Sequence, residues 1–176
     1  GYPVKAGNDA NVAALGEMWQ GGGKGHSNLV MVTLGTGVGG GIILNGKMLF
    51  GVNGAGGEIG HICVDDSETE TCGCGNKGCL EQYTSATGVV RLAGRAMAAS
   101  DKKSTLRELE AVTAKDVFDA AKAGDTIAIG LVDEVCEILG STLSNIACVV
   151  NPEIIVIGGG VSKAGDILLD NIKKHF

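Results

Sequence analysis

Aromatic residues are scarce in this chain of 176 residues, 3% of the total, and Lys and Arg number 14 against 20 Asp and Glu. The sequence therefore lacks both the basic footprint and the stacking platforms by which nucleic acid is bound, and no nucleic-acid partner is expected. No apolar run approaches the roughly 18 residues of a membrane span, and no cationic-then-apolar signal opens the chain, so it reads as soluble and cytoplasmic, with no membrane partner. Proline is nearly missing, at 2 residues, and a G-X-Y register is absent, which excludes collagen. What is abundant is glycine: 30 of 176 residues, about 17%, against a usual share of roughly 7%. A hydrophobic fraction of 44% and a mean hydropathy of +0.23 rule out a disordered glycine-rich tail. This is a folded domain whose first half brings backbone close to something.

The pattern along the chain is α/β, with glycine at the strand-to-loop corners. Asn8 and Asp9 open a capped helix through Trp19, since two Asx residues precede an alanine-rich run. Leu29–Leu34 and Gly40–Leu44 read as strands, and Asn45-Gly46 is a hairpin signal leading into a third over Lys47–Phe50. The stretch from Asp65 to Gly78 is a polar, acidic loop. Apolar periodicity resumes from Cys79 through Met97. Thr113 caps a helix through Ala123, although Asp116 stands where a capping box prefers Glu or Gln. Asp125 caps a longer helix with Leu131, Val135, Ile138, Leu139, Leu143, Ile146 and Ala147 on one face. Ile154–Ile157, three glycines and a helix from about Lys163 make a β-loop-α unit.

Four features carry chemistry. Gly35-Thr36-Gly37-Val38-Gly39-Gly40-Gly41 contains G-x-G-x-x-G, yet a strand and a hairpin follow where the dinucleotide fingerprint needs a helix. A glycine turn between antiparallel strands can instead aim successive N–H groups at a phosphate, with Thr36 adding a hydroxyl; the alternative is a tight hairpin requiring positive φ. Gly158-Gly159-Gly160 suits a nucleotide laid on bare backbone, and equally a turn tightened for packing. His61 with Cys72, Cys74 and Cys79 forms a Cys₃His set for a tetrahedral metal, zinc being its natural occupant. A Cys-x-Cys pair is poorly placed to bridge internally, a cytosolic composition disfavours disulfides, and no C-x-x-C redox pair is present. The remaining Cys63, Cys136 and Cys148 fall in apolar patterns and read as core. Among the acids, Asp9 alone is consistent with a helix cap and Glu81 with a first-turn acid. Glu58, between glycines that remove any packing reason for it, points to a site of carboxylates accepting hydroxyl hydrogen bonds, without naming the substrate.

Taken in order, Asn8-Asp9-Ala10-Asn11, Leu34–Ile42, Gly56-Gly57-Glu58-Ile59-Gly60-His61, Cys72–Glu81, Val149-Val150-Asn151-Pro152 and Ile157–Gly160 resemble the ROK family of sugar kinases and repressors. The resemblance spans nearly all 176 residues, and Leu80–Gly88 is most similar to the family's bacterial glucokinases. It implies an actin-like, ribonuclease-H-like ATPase of two lobes. Residues 1–176 would form the second, C-terminal lobe, with a mixed sheet, flanking helices and a zinc-bearing loop. The family's Asp-x-Gly-Gly-Thr phosphate loop, which also serves magnesium, belongs to the first lobe and is not found here; the C-terminus reads as cut short. The implied activity is ATP-dependent phosphorylation of glucose at its 6-hydroxyl, the isolated lobe being inactive. In that reading Asp9 is the general base, and Asn8, Asp9, Glu58, His61 and Glu81 hold the sugar. His61 puts one ring nitrogen on structural zinc and the other on a hydroxyl. Gly35, Thr36 and Gly37 meet the phosphates of ATP, whose Mg2+ is held mostly by the other lobe, and Gly158, Gly159 and Gly160 lie against adenosine. A homodimer is the expected assembly. The alternatives are a kinase for another hexose, such as N-acetylmannosamine or fructose, or a sugar-responsive repressor with a helix-turn-helix before this segment.

Overall fold

The computed structural model describes the chain apart from Pro3 and Lys5. A helix α1 (Asp9–Gln20) is followed by strands β1 (Leu29–Leu34), β2 (Val38–Leu44) and β3 (Lys47–Met48). After a long irregular segment come α2 (Glu81–Thr84), α3 (Ala86–Ala98), α4 (Ala114–Lys122), the 25-residue α5 (Thr126–Val150), β4 (Ile154–Gly158) and α6 (Asp166–His175). The strands form one sheet in the order β3-β2-β1-β4. β1 runs antiparallel to β2 and parallel to β4, so the sheet is mixed, as α5 returns the chain between two parallel strands.

Strand β1 lies in the middle of the sheet and is apolar on both faces, which is why it reads LVMVTL without alternation. Val30, Val32 and Leu34 enter the larger core, shared with helices α3 to α6, while Leu29 and Met31 enter a smaller cluster with Ala14 of α1 and Ile43. Each buried Val, Leu, Ile or Met among them contributes about 1.5–3 kcal/mol of hydrophobic stabilisation. Helix α1 comes unusually close to β2. A Cβ on Gly39 would stand 2.9 Å from the Ala10 Cβ, and one on Gly41 would stand 2.6 Å from the Ala14 Cβ. Two glycines of the 35–41 run therefore serve helix-on-sheet packing. None of the glycines in that run takes positive φ, so the tight-hairpin account of them does not hold.

The Asn45-Gly46 hairpin forms as the sequence indicates, with φ of 52° and 73°, matching the primed turns that fit strand twist. Strand β2 starts two residues before the expected Gly40, and β3 ends at Met48 instead of Phe50 because the Phe50 carbonyl turns away to accept from the Gly56 N–H at 2.8 Å. The apolar run from Cys79 is split at Ser85, whose hydroxyl caps α3 through the Gly88 N–H. Thr113 and Asp116 make a reciprocal capping box even though the third residue is Asp. The helix expected from Lys163 starts at Asp166, after a 3₁₀ turn over Val161–Ala164. Of the three cysteines assigned to the core, only Cys136 is buried. Cys148 lies two residues past buried Ile146, on the opposite side of α5, and the exposed Cys63 thiol donates to Asp66 Oδ1 at 3.5 Å.

Candidate active site and metal centre

The pairing Thr33↔Gly158 brings the carboxyl ends of β1 and β4 side by side, the usual place for a ligand in an α/β sheet. Both glycine corners leave from there. The N-terminus of α1 reaches the same end, since its alanines pack on Gly39 and Gly41. Asn8 caps α1 by accepting from the Asn11 N–H at 3.1 Å. Asp9 is therefore the first helical residue and not the cap. Its Oδ1 accepts from the Ala10 N–H at 2.8 Å, and the residue is exposed.

A cleft of about 670 Å³ opens between these elements. Asn8, Asp9, Gly35, Thr36, Gly37, Glu58, Glu81 and Gly159 all line it, so residues 151 positions apart share one wall system. Glu58 precedes the 3₁₀ turn Ile59–His61, with no capping hydrogen bond from its side chain. Glu81, the first residue of α2, is more constrained. Its Oε2 lies 3.4 Å from the Val38 N–H, and a Cβ on Gly37 would stand 2.6 Å from that oxygen. The acid thus lies directly against Gly37, and its carboxylate would have to move aside for a side chain there. Gly159, at φ 88°, has Leu34 backbone where a Cβ would stand. Gly160 faces a second cleft of about 310 Å³ with Ala86, Thr113, Phe118 and Val161. Gly158 lines neither. Ala86 and Phe118 carry no sequence signal for a ligand, because only the tertiary packing of α3 and α4 beside Gly160 brings them there.

Behind Glu81 lies the cysteine cluster. The donor atoms of His61, Cys72, Cys74 and Cys79 all lie within 4.8 Å of one another. Cys74 Sγ is 3.6 Å from Cys79 Sγ, and Cys72 Sγ is 3.9 Å from His61 Nδ1. A tetrahedral zinc with sulfur at about 2.3 Å spaces its ligands by roughly 3.8 Å, so the four residues fit that ion. Burial pushes the Cys72 thiol up and the Cys79 thiol to about 12, while the Asn76 N–H lowers exposed Cys74. A cation among them offsets that burial cost and favours thiolates. His61 is not on the wall of the main cleft. It meets the cleft through Glu81, whose Oε1 is 3.8 Å from its Nδ1 and accepts from the Cys72 thiol at 3.0 Å.

The loop before the cluster hides a feature that the sequence shows only as acidity. Glu68 is buried, and its carboxylate accepts from Arg91 at 2.8 Å, from both Arg95 Nη atoms at 3.0 and 3.1 Å, and from the Tyr83 hydroxyl at 2.9 Å. Arg95 beside it, with the Glu70 N–H, holds its carboxyl well below the usual carboxylate range. Arg91 and Arg95 are one turn apart on α3, so both reach the same acid, Arg95 with both Nη atoms and Arg91 with Nη1 alone.

An α/β lobe with a mixed sheet, a glycine-walled cleft of acids and a Cys₃His cluster is the architecture of an actin-like sugar-kinase fold. The family model described as "ROK family" matches residues 1–176, and the chain belongs to that family. It is 52% identical to the glucokinase of Halalkalibacterium halodurans, a match spanning 99% of this chain and 54% of that protein. Against the glucokinase of Thermotoga maritima it is 41% identical over 95% of this chain and 53% of the relative. The crystal structure of a ROK family glucokinase from Streptomyces griseus, in complex with glucose and AMPPNP, superposes with a TM-score of 0.89 at 38% identity. That match spans 99% of this chain and 57% of that one. The chain thus spans about half the length of the relatives it matches. No helix among the described residues is long and apolar enough to cross a membrane.

Proposed function

We propose that the protein of which this chain is the C-terminal lobe phosphorylates glucose at its 6-hydroxyl with ATP as donor. The observation that carries this is the convergence of Asn8, Asp9, Glu58 and Glu81 on one cleft with the Gly35-Thr36-Gly37 turn. Acids suited to sugar hydroxyls and N–H groups suited to a phosphate share a single space. The similarity to glucokinases, one of them solved with glucose and AMPPNP, supports the same reading.

In this mechanism Asp9 accepts the proton of the 6-hydroxyl as that oxygen bonds to the γ-phosphorus, while the bond from that phosphorus to the β,γ-bridging oxygen breaks and ADP leaves. Its carboxylate is exposed to the cleft, with Oδ1 oriented by the Ala10 amide. Phosphoryl transfer asks the protein mainly for position and charge. Asn8, Glu58 and Glu81 would orient the sugar ring, and His61 would act beside Glu81. Thr36 and the amides of Thr36 and Gly37 would meet the phosphates of the magnesium complex of ATP, the Gly35 N–H being taken by the Gly37 carbonyl at 3.0 Å. The second cleft, beside Gly160 and Phe118, would receive the nucleoside. Zinc, when bound by His61, Cys72, Cys74 and Cys79, supplies a fixed anchor that sets the imidazole tautomer and orientation. The test is a panel of hexoses and N-acetylhexosamines offered with ATP to the full-length protein. Glucose 6-phosphate is the product expected, and turnover of an N-acetylhexosamine in preference to glucose would reassign the substrate.

A further inference from the structure

The cavity on the far side of Glu81 holds a side chain with no role in the mechanism above. Arg91 lines it together with Thr36, Gly37, Cys72 and Glu81. Its Nη1 donates to Glu68 at 2.8 Å and to Glu70 at 3.2 Å, its Nη2 donates to the Gln82 carbonyl at 2.9 Å, and its guanidinium carbon lies 5.1 Å from the Tyr83 ring centroid. Glu70 stands two residues before Cys72, and Gln82 stands directly after Glu81. The guanidinium therefore ties the segment that delivers a metal-ligating thiol to the helix that delivers a cleft acid. Between those two segments lies the 3.0 Å contact of Cys72 Sγ with Glu81 Oε1.

We propose that Arg91 is a positioning residue that fixes Glu81 and the Cys72 end of the cluster in one geometry. This rests on the sugar-kinase reading for what Glu81 does, but not for the bracket itself. Arg95 supplies an internal comparison. It shares the bonds to Glu68 and Glu70, the latter at 2.7 Å, yet makes none to α2. A lysine at either position keeps the charge and loses the planar fork; the direct bond to the α2 backbone is made from position 91, whereas position 95 reaches α2 only through Glu68 and the Tyr83 hydroxyl.

The experiment compares Arg91→Lys with Arg95→Lys in the full-length, metal-loaded protein. With Arg91→Lys, KM for glucose should rise on the order of tenfold, as loss of a partner behind a ligand typically costs. KM for ATP should be nearly unchanged, residues 79–85 should exchange amide hydrogens faster, and metal should pass sooner to a chromogenic chelator. Arg95→Lys should leave all four readouts close to wild type. Equal effects of the two variants, equal rises in both KM values, or an unaltered Arg91→Lys protein would each overturn the proposal. Should the wild type phosphorylate no hexose, the kinase reading fails, while amide exchange and metal release still decide the bracket. If Arg91→Lys does not fold, Glu68→Gln removes the anchor of the fork and should give the same selective loss of glucose affinity and of α2 protection; unchanged values in that variant would refute the idea.

Discussion

At one end of the main cleft Asp9 stands exposed on the first turn of α1, with one hydrogen bond among the described residues, from the adjacent amide. At the other end Glu81 accepts from the Val38 N–H at 3.4 Å and stands between His61 and Cys72 Sγ, 3.8 and 3.0 Å from its Oε1. The polar loop behind Glu81 is pinned in turn by the buried Glu68 and its two arginines. The difference suits the two roles proposed for these acids. A group that accepts a proton must keep lone pairs open to the reacting oxygen, whereas a group that orients a substrate gains from being unable to turn away.

The sharpest way to break this comparison is Asp9→Asn in the full-length protein. Turnover should fall by about 10²–10⁴-fold, as for loss of acid–base catalysis, while calorimetry still detects glucose binding. Near-normal turnover would remove Asp9 from the role. Next in size is Cys74→Ser. Metal analysis should find about one zinc per wild-type chain and none in the variant, with sugar affinity weakened on the order of 10-fold or more. A metal-free wild type with full activity would show that the constrained end of the cleft does not depend on the cluster. A smaller effect is expected for Gly41→Ala, whose methyl would press on Ala14. Denaturant unfolding should show a loss of about 1–3 kcal/mol, the usual cost of overpacking.

The last prediction concerns pH. Glu68 is held well below the usual carboxylate range by Arg95 and by the Glu70 amide. An unfolded glutamate titrates near about 4.3. The contribution of Glu68 is therefore complete above that pH and is lost as pH falls toward the lower folded value, because the unfolded chain then binds the proton first. Denaturant melts below about pH 4.3 should show wild type losing stability more steeply than Glu68→Gln. Parallel curves would mean that Glu68 does not carry the acid sensitivity of the loop.

Local signals decided how much could be read in advance. Asn8 before an alanine run, Asn45-Gly46 between apolar strands and the Asp125 cap each act within a few residues, and the elements they mark are present. The cysteine cluster was legible because its three thiols lie within eight residues and its imidazole just before them. Glu68 was not, since its burial depends on arginines 23 and 27 residues away. The glycine run was read for one purpose and serves two. Its turn faces the cleft, while Gly39 and Gly41 make room for α1, a demand that appears only when helix and sheet are stacked. Periodicity placed Cys63 and Cys148 in the core, yet an apolar neighbourhood in sequence does not say on which side of an element a thiol falls.

The absence of side chains at Gly39 and Gly41 has a mechanical consequence for the proposed base. Helix α1 rests on the sheet as on a machined seat, and the depth of that seat sets how far Asp9 projects over the cleft. A methyl group added at position 41 would act as a shim, lifting the helix without altering any residue that lines the cleft. Because displacements near 1 Å can cost on the order of 10²-fold in rate, the reach of the proposed base is a dimension fixed by atoms that are missing.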